Sequence, residues 1–482
     1  MTLLVGTSTG SNRPSRPHGV PARRHAATVW IRAYSAVAVL GAVVIAVVLA
    51  SVAGGMRDGL TVIGQRTAPQ VTASEDLYFA LSDMDAQLAN LLLTGADPRL
   101  ATLHAFALDD YEKDRARAGA DLQQVTTVAG DDAAVQGTVR KVLDEFGRYQ
   151  SLAARAMQLV DREGAGPASQ DVVDLARQAT VVLHSAVDSV RKLAAVNGKL
   201  LDKSYQDRQA TAEVARQWLV GIGTVFLASL VGLQVVLRLR LRRRLNPAVA
   251  VATLLAGWLV FGGITQMNRQ TDQLRSAKED AFDSLMVLRQ ARAVSYDANA
   301  DKSRYLLDPG WAARYEQDFF DKSTALADVG ASGLSEYDER LAVLLNVYRG
   351  DRSDMRIDGL FGAELNNLTF PGERSAAEQV MLTYQRYQED DGTIRQLVAD
   401  GKLHEAIVFC LDPYTDTSNY RFSRYDKALT HLIDINQRAF DSAIAAGTAE
   451  LGGWTGTIPY GVGFLVVLLV AAGVWPRLAE YR

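Results

Sequence analysis

WLVGIGTVFLASLVGLQVVL at residues 218–237, RLRLRRR at 238–244 and AVAVATLLAGWLVFGGI at 248–264 together decide the fold. Two stretches, Gln217–Leu237 and Leu245–Asn268, contain no Asp, Glu, Lys or Arg, and five arginines crowd the link between them. A hydrocarbon core of roughly 30 Å needs about 20 apolar residues of helix, and each stretch clears that length. The pattern reads as a helical hairpin through a bilayer, with its arginine link on the cytoplasmic side.

The same composition recurs at both ends of the chain. Ala33–Met56 carries AVAVLGAVVIAVVLASVAGG, and Leu451–Pro476 carries YGVGFLVVLLVAAGVW, again without a charge. Trp218, Trp258, Trp454, Tyr460 and Trp475 lie in or near the outer thirds of spans, where interfacial aromatics are favoured. Pro247 opens the third span, where a missing N–H is harmless. Four spans follow, at 33–56, 217–237, 247–268 and 451–476. The alternative, four buried helices of a soluble protein, is set aside on length and composition.

Arginine placement orients them. Residues 1–32 hold Arg13, Arg16, Arg23, Arg24 and Arg32 with no acid, and are read as a disordered basic leader. The tail 477–482 holds Arg477 and Arg482 against Glu480. These segments and the loop 238–246 all point inward, so both termini are expected in the cytoplasm of a multi-pass plasma-membrane protein. The connections 57–216 and 269–450 then point outward. A cleavable leader is the rival for the first span, and the long leader and full-length span favour an uncleaved anchor.

The whole chain has a formal charge of −4. Setting aside the twelve basic residues and one acid of the inner segments leaves 39 basic against 54 acidic residues outside. A surface near −15 excludes nucleic acid as a partner there. Cys410 is the single cysteine, so no internal disulfide forms and packing alone must stabilise the outer regions.

The two outer regions look alike. Ser82-Asp-Met-Asp-Ala-Gln-Leu-Ala-Asn-Leu-Leu-Leu93 precedes a loop and Tyr111-Glu-Lys-Asp114. Tyr296-Asp-Ala-Asn-Ala-Asp-Lys-Ser-Arg-Tyr-Leu-Leu307 precedes a shorter loop and Tyr315-Glu-Gln-Asp318. A shift of 214 pairs Asp83 with Asp297 and Leu92-Leu93 with Leu306-Leu307, which reads as an internal duplication. Leu77, Leu81, Met84, Leu88 and Leu91 follow helical steps. So do Leu175, Ala179, Val182, Ala186, Val190 and Leu193, and Phe422, Tyr425, Leu429, Leu432, Asn436 and Ala439 run toward the fourth span. Breaks at 95–98, 130–132 and 164–167 divide the first region into four helices, two of them continuing into the membrane. The expected fold is all-α: four transmembrane helices with two tandem extracytoplasmic four-helix bundles. The second bundle has an irregular insertion from Gly350 to Arg374, whose Arg349-Gly350-Asp351 and Asn367-Leu-Thr369 are read as loop residues.

Catalysis finds no support. The six histidines are scattered, and no HExxH, Walker loop, GxSxG or CxxC occurs, so the chain is read as a non-enzyme without metal or cofactor. Asp109-Asp110, Asp131-Asp132 and Asp390-Asp391 are read as solvated turns. One polar feature stands out. The stripe Val287, Ala291, Val294, Ala298, Asp301, Tyr305 ends on an acid, with Arg304 beside it. A charge on a core stripe is costly unless paired. Asp301, Arg304 and Arg292 therefore form the candidate ligand or docking region, the alternative being a structural salt bridge or a shifted register. Arg238, Arg240, Arg242, Arg243 and Arg244 serve topology and anionic lipid first, and a cytoplasmic effector second.

The pattern Asp83-x-Asp85-Ala86, Ala89-Asn90, Leu93, a loop and Tyr111 resembles the extracytoplasmic four-helix-bundle sensors of bacterial chemoreceptors and sensor kinases. The layout of two such domains, four spans and almost no cytoplasmic mass is similar to a group of actinobacterial membrane proteins. These stand between an extracellular glutamine/aspartate-type binding lipoprotein and a cytoplasmic serine/threonine kinase. The resemblance implies a relay of amino-acid availability with those two partners. Unlike a chemoreceptor, the chain has no coiled-coil signalling tail. Its inner segments are too short to fold into a catalytic unit, so a separate protein must read any output. A scaffold or transport-accessory role in the cell envelope is the rival reading. A channel is disfavoured because the spans carry no charged residue. The sequence leaves ligand, oligomeric state and direction of signalling open.

Overall fold

The computed structural model describes residues 22–128, 133–241, 246–350, 357–414 and 416–479, and their regular structure is helical. The first half contains α1 (Ala22–Val62), α2 (Ala68–Thr94), α3 (Ala101–Val128), α4 (Ala133–Glu163) and α5 (Gln170–Leu241). The second contains α6 (Pro247–Arg275), α7 (Asp283–Leu307), α8 (Ala312–Leu326) and α9 (Leu334–Gly350). It continues with α10 (Gly359–Leu365), α11 (Glu373–Ala399), α12 (Leu403–Leu411), α13 (Ser418–Glu450) and α14 (Thr457–Ala479). The four helices expected at 57–216 are present. One isolated bridge, Asp328 with Asp358, closes the insertion of the second half.

Two compact units result. One takes in residues up to Gly55, Thr211–Asn268 and Leu451 onward; the other takes in Met56–Ala210 and Arg269–Glu450. The first unit holds four helical stretches long and apolar enough to cross a membrane, which supports a multi-pass membrane protein. Leu254, Phe261, Phe464 and Trp475 project outward from it, while Leu49, Phe226, Leu230, Ala252 and Val470 pack inside. Small residues bring its helices together: a Cβ on Gly263 would lie 2.5 Å from a Leu49 methyl. Asn246 caps the third span, accepting from the Ala248 N–H (3.1 Å) and donating to the Gly473 carbonyl (2.9 Å).

Two boundaries differ from the sequence reading. The leader, expected to be disordered to residue 32, is helical from Ala22 because α1 begins there. The fourth span, expected from Leu451, becomes helical only at Thr457. Turns occupy residues 451–456, where Gly452, Gly453 and Gly456 interrupt the apolar run and the Leu451 carbonyl accepts from the Trp454 and Thr455 N–H groups. Arg242, Arg243 and Arg244, the 130–132 break and Asp351 lie outside the described residues.

The main hydrophobic core of the second unit is drawn from both halves, where the sequence pointed to two bundles in tandem, and a smaller cluster around Leu100, Leu306 and Ile394 also joins the halves. Its centre is the pair α2 and α7. Asp76 meets Arg289 near one end and Asn90 meets Ser303 near the other, each 213 residues apart, so the helices run parallel. Both are buried on nearly every side, because α3 packs against α2 and α8 against α7. Each central helix follows a π segment, Ile63–Thr67 before α2 and Ser276–Phe282 before α7. Each also ends at a one-turn 3-10 helix opened by proline, Pro98–Leu100 and Pro309–Trp311. The insertion supports the second π segment. Asn367 donates through Nδ2 to the carbonyls of Glu279 (2.9 Å) and Asp280 (3.1 Å) and to Ser284 Oγ (3.0 Å).

Candidate functional site

Parallel packing of α2 against α7 brings polar positions of both halves together in two places. The first is a buried ion cluster. Arg304 bridges Asp85 (Nη2 to Oδ2, 2.5 Å), Asp301 (Nη1 to Oδ1, 2.5 Å) and Asp297 (3.3 Å). Lys322, from α8, reaches Asp301 at 2.6 Å and Asp297 at 2.9 Å. Thr180 donates to Asp85 at 3.1 Å, and His184 lies 3.6 Å from Asp297. Burial opposes ionisation of Asp297, but Lys322, the His184 hydrogen bond and Arg304 overcome it and hold the carboxyl well below its usual range. Burial pushes Asp301 upward against Lys322 and Arg304. Arg304 is held above its ordinary value by Asp85, Asp301 and Asp297 despite its burial. Asp301 and Arg304 thus satisfy the demand for pairing in a closed structural cluster. Removing one partner from such a cluster costs about 3–5 kcal/mol because the others stay buried.

The second place is a cleft of about 370 Å³ between α2, α3, α7 and α13. Arg292 lines it, apart from Asp301 and Arg304. Its guanidinium is already engaged, with Nε 2.6 Å and Nη2 3.0 Å from the two oxygens of Asp426, and it stacks 4.0 Å over Phe79. Opposite it, Asp83 of α2 and Asp114 of α3 face each other. Burial, reinforced by the charge of Asp114, pushes Asp83 well above the usual carboxylate range. Burial also pushes Asp114 up to about 6, against the Asp83 hydrogen bond and Arg117. Gln87 donates to Asp83 at 3.1 Å and Arg117 to Asp114 Oδ1 at 3.2 Å. Asp114 is 3% exposed, and its Oδ2 is buried without a donor.

A separate cleft of about 570 Å³ lies along α2, α5 and α7. It holds Glu75, which burial pushes up to about 7, near Arg191, and Lys278, which pairs with Asp202 (2.8 Å) and Asp283 (2.6 Å). Among the described residues no group of His, Cys, Asp and Glu could hold a metal ion.

Several of these residues escaped the sequence. Asp390 and Asp391, read as a solvated turn, sit within α11 and are buried, paired with Arg421 and Arg395. Lys302 is buried with its ammonium 3.6 Å from the Tyr387 ring centre, 5.1 Å from that of Phe319, and 3.2 Å from the Tyr387 carbonyl. Burial lowers its pKa. Asp83 and Asp85 belonged to the motif quoted for the resemblance, but nothing in α2 alone marks them as buried. Arg238 is exposed at the end of α5.

Residues 59–206 match the family model of the actinobacterial sensor domain. No curated protein and no solved structure matches the chain. The sensor domain spans α2, α3, α4 and part of α5, and so contributes Asp83 and Asp114 to the cleft and Asp85 to the ion cluster. Residues 269–450 supply the facing groups.

Proposed function

We propose that the protein is a transmembrane sensor that passes an extracellular signal to a cytoplasmic effector such as a serine/threonine kinase. The observation that carries this reading is the sensor-domain match over residues 59–206, whose helices α2 and α3 form one wall of the 370 Å³ cleft. The arginine-rich segments support cytoplasmic termini, with Met56–Ala210 and Arg269–Glu450 outside. The layout that resembles the actinobacterial relay proteins supports a solute-binding lipoprotein as a further outer partner. Arg238, Arg240, Arg242, Arg243 and Arg244 are the proposed contact for anionic lipid and for the effector. We further read the halves as a duplication, supported by the repeated order of π segment, central helix, proline turn and second helix.

One experiment addresses topology and output together. Thiol labelling of intact cells should modify a cysteine placed at 120 or 330 but not one at 241; outside labelling at 241 overturns the orientation. In the same cells, exchanging Arg238, Arg240 and Arg242 for Gln should abolish ligand-dependent capture of the cytoplasmic partner while leaving the labelling pattern intact. Persisting capture removes the arginine face from the relay.

A further inference from the structure

We infer that the cleft between α2, α3, α7 and α13 binds a small organic ammonium ion through the facing carboxyls of Asp83 and Asp114. This rests on the sensor reading and gives it a ligand class. The cations that line the cleft already have partners: Arg292 is bidentate to Asp426, Lys113 holds Asp109 (2.6 Å) and Asp110 (3.1 Å), and Arg117 holds Asp114 Oδ1. An anionic ligand would have to displace one of those acids. Apart from the facing Asp83 carboxyl, no amide, guanidinium or alcohol donor reaches Asp114 Oδ2, a buried acceptor. An unserved buried acceptor favours a ligand that brings N–H donors, and a positive charge adds to the hydrogen bond. Phe106 and Phe422 line the same cleft, so part of its wall is aromatic, a surrounding that suits an organic cation.

The carboxyl pair adds a signature. Two carboxyls forced together cannot both ionise readily, so the pair retains a proton near neutrality. The charged groups around it are Asp110, Lys113 and Arg117 on α3, Arg292 on α7 and Asp426 on α13, all engaged as described. An ammonium ion seated between Asp83 and Asp114 replaces that proton with its own charge. Binding therefore releases a proton, which a neutral ligand would not require.

The test is calorimetric titration of the full-length protein in detergent with putrescine and with ethanolamine, at pH 7, in buffers of different ionisation heat. Saturable binding with release of close to one proton per ligand is expected. Asp114→Asn should weaken binding at least tenfold and cut proton release, and Glu75→Gln in the other cleft should leave both unchanged. Acetate and glycerol should not compete. The inference fails if neither amine binds, if binding releases no proton from the unsubstituted protein, or if Glu75→Gln abolishes binding and Asp114→Asn does not. The proton count needs no variant, so a misfolded Asp114→Asn does not rescue it. Failure here with the labelling pattern intact removes the ammonium ligand and leaves the sensor reading standing.

Discussion

The two central hairpins, α2–α3 and α7–α8, treat positions at the same sequence offset in opposite ways. At an offset of 214, Asp83, Gln87 and Asn90 correspond to Asp297, Asp301 and Arg304. In the second hairpin each acid has a cation: Asp297 and Asp301 share Arg304 and Lys322. In the first, Asp83 meets another acid, Asp114, in the wall of a cleft. Asp318, the acid of the second Tyr-Glu-x-Asp motif, pairs with Arg314 at 3.0 Å on its own helix, as Asp114 pairs with Arg117 at 3.2 Å. One frame thus gives two acids two cations, and the other gives the pair Asp83 and Asp114 only Arg117. A balanced buried cluster fixes how helices pack, while an unbalanced one is relieved by protonation or by a ligand.

The largest effect that separates them is on stability. Arg304→Met leaves Asp85, Asp297 and Asp301 buried without their common partner, and should cost about 3–5 kcal/mol in denaturant melts of the solubilised protein. Asp114→Asn should cost less than about 1 kcal/mol, because it removes a carboxyl that burial already disfavours. Equal costs would mean that the two hairpins handle charge alike.

Acidity should separate them by sign. The folded Asp114 carboxyl titrates at about 6, above its ordinary 3.8. Its contribution is complete below about 3.8 and is lost as the pH rises through about 6. Asp121 and Asp338, also near 6, and Glu75 and Glu364, near 7, act in the same direction. The Asp114 share therefore appears as the difference between the protein and Asp114→Asn in melting temperature from pH 4 to 7. Asp297 is depressed instead, so its stabilisation is present above its ordinary value and disappears as the pH falls through the folded one. An Asp297→Asn variant should accordingly lose its deficit in acid. A difference curve of the same slope for both variants would refute the contrast.

The smallest effect concerns the segments that lead into the hairpins. Among the described residues, a side chain from the insertion, Asn367, holds the second π segment and none holds the first. Asn367→Ala should cost about 0.5–1.5 kcal/mol, the net worth of the hydrogen bonds lost at these exposed and partly buried carbonyls. It should also speed hydrogen exchange around 276–284 and leave 63–67 unchanged. Equal exchange in both segments would show that the insertion does not distinguish them.

How much of this could be read beforehand follows from the range of each interaction. The spans were legible because twenty uncharged residues in a row are a local signal, but the turn at 451–456 was not, since glycines do not interrupt hydropathy. The stripe of α7 announced that Asp301 and Arg304 needed partners. It could not say that one was Asp85, 219 residues from Arg304, because that depends on α2 and α7 lying side by side. The same packing buries Lys302 on another face of α7, where a one-stripe helix would leave it in water. Asp390-Asp391 looked like a solvated pair until α11 met Arg421 of α13. Asp114 shared a Tyr-Glu-x-Asp motif with Asp318, and the motif alone could not tell the buried acid from its partly exposed counterpart.

The π segments carry a mechanical consequence. A π turn bonds residue i to i+5 and so accommodates one residue more than the α-helical repeat around it. If Ile63–Thr67 or Ser276–Phe282 tightened to α geometry, the surplus residue would pass along the helix. Residues before it would turn by about 100° and slide by about 1.5 Å against those after it. Such a step needs no hinge and exposes no backbone, and it is quantised: the helix is either one residue out of phase or in phase. The 72 residues of α5 hold no such turn. The described residues therefore hold two places where a screw motion can be stored, one ahead of the helix that carries Asp83 and one ahead of the helix that carries Arg304.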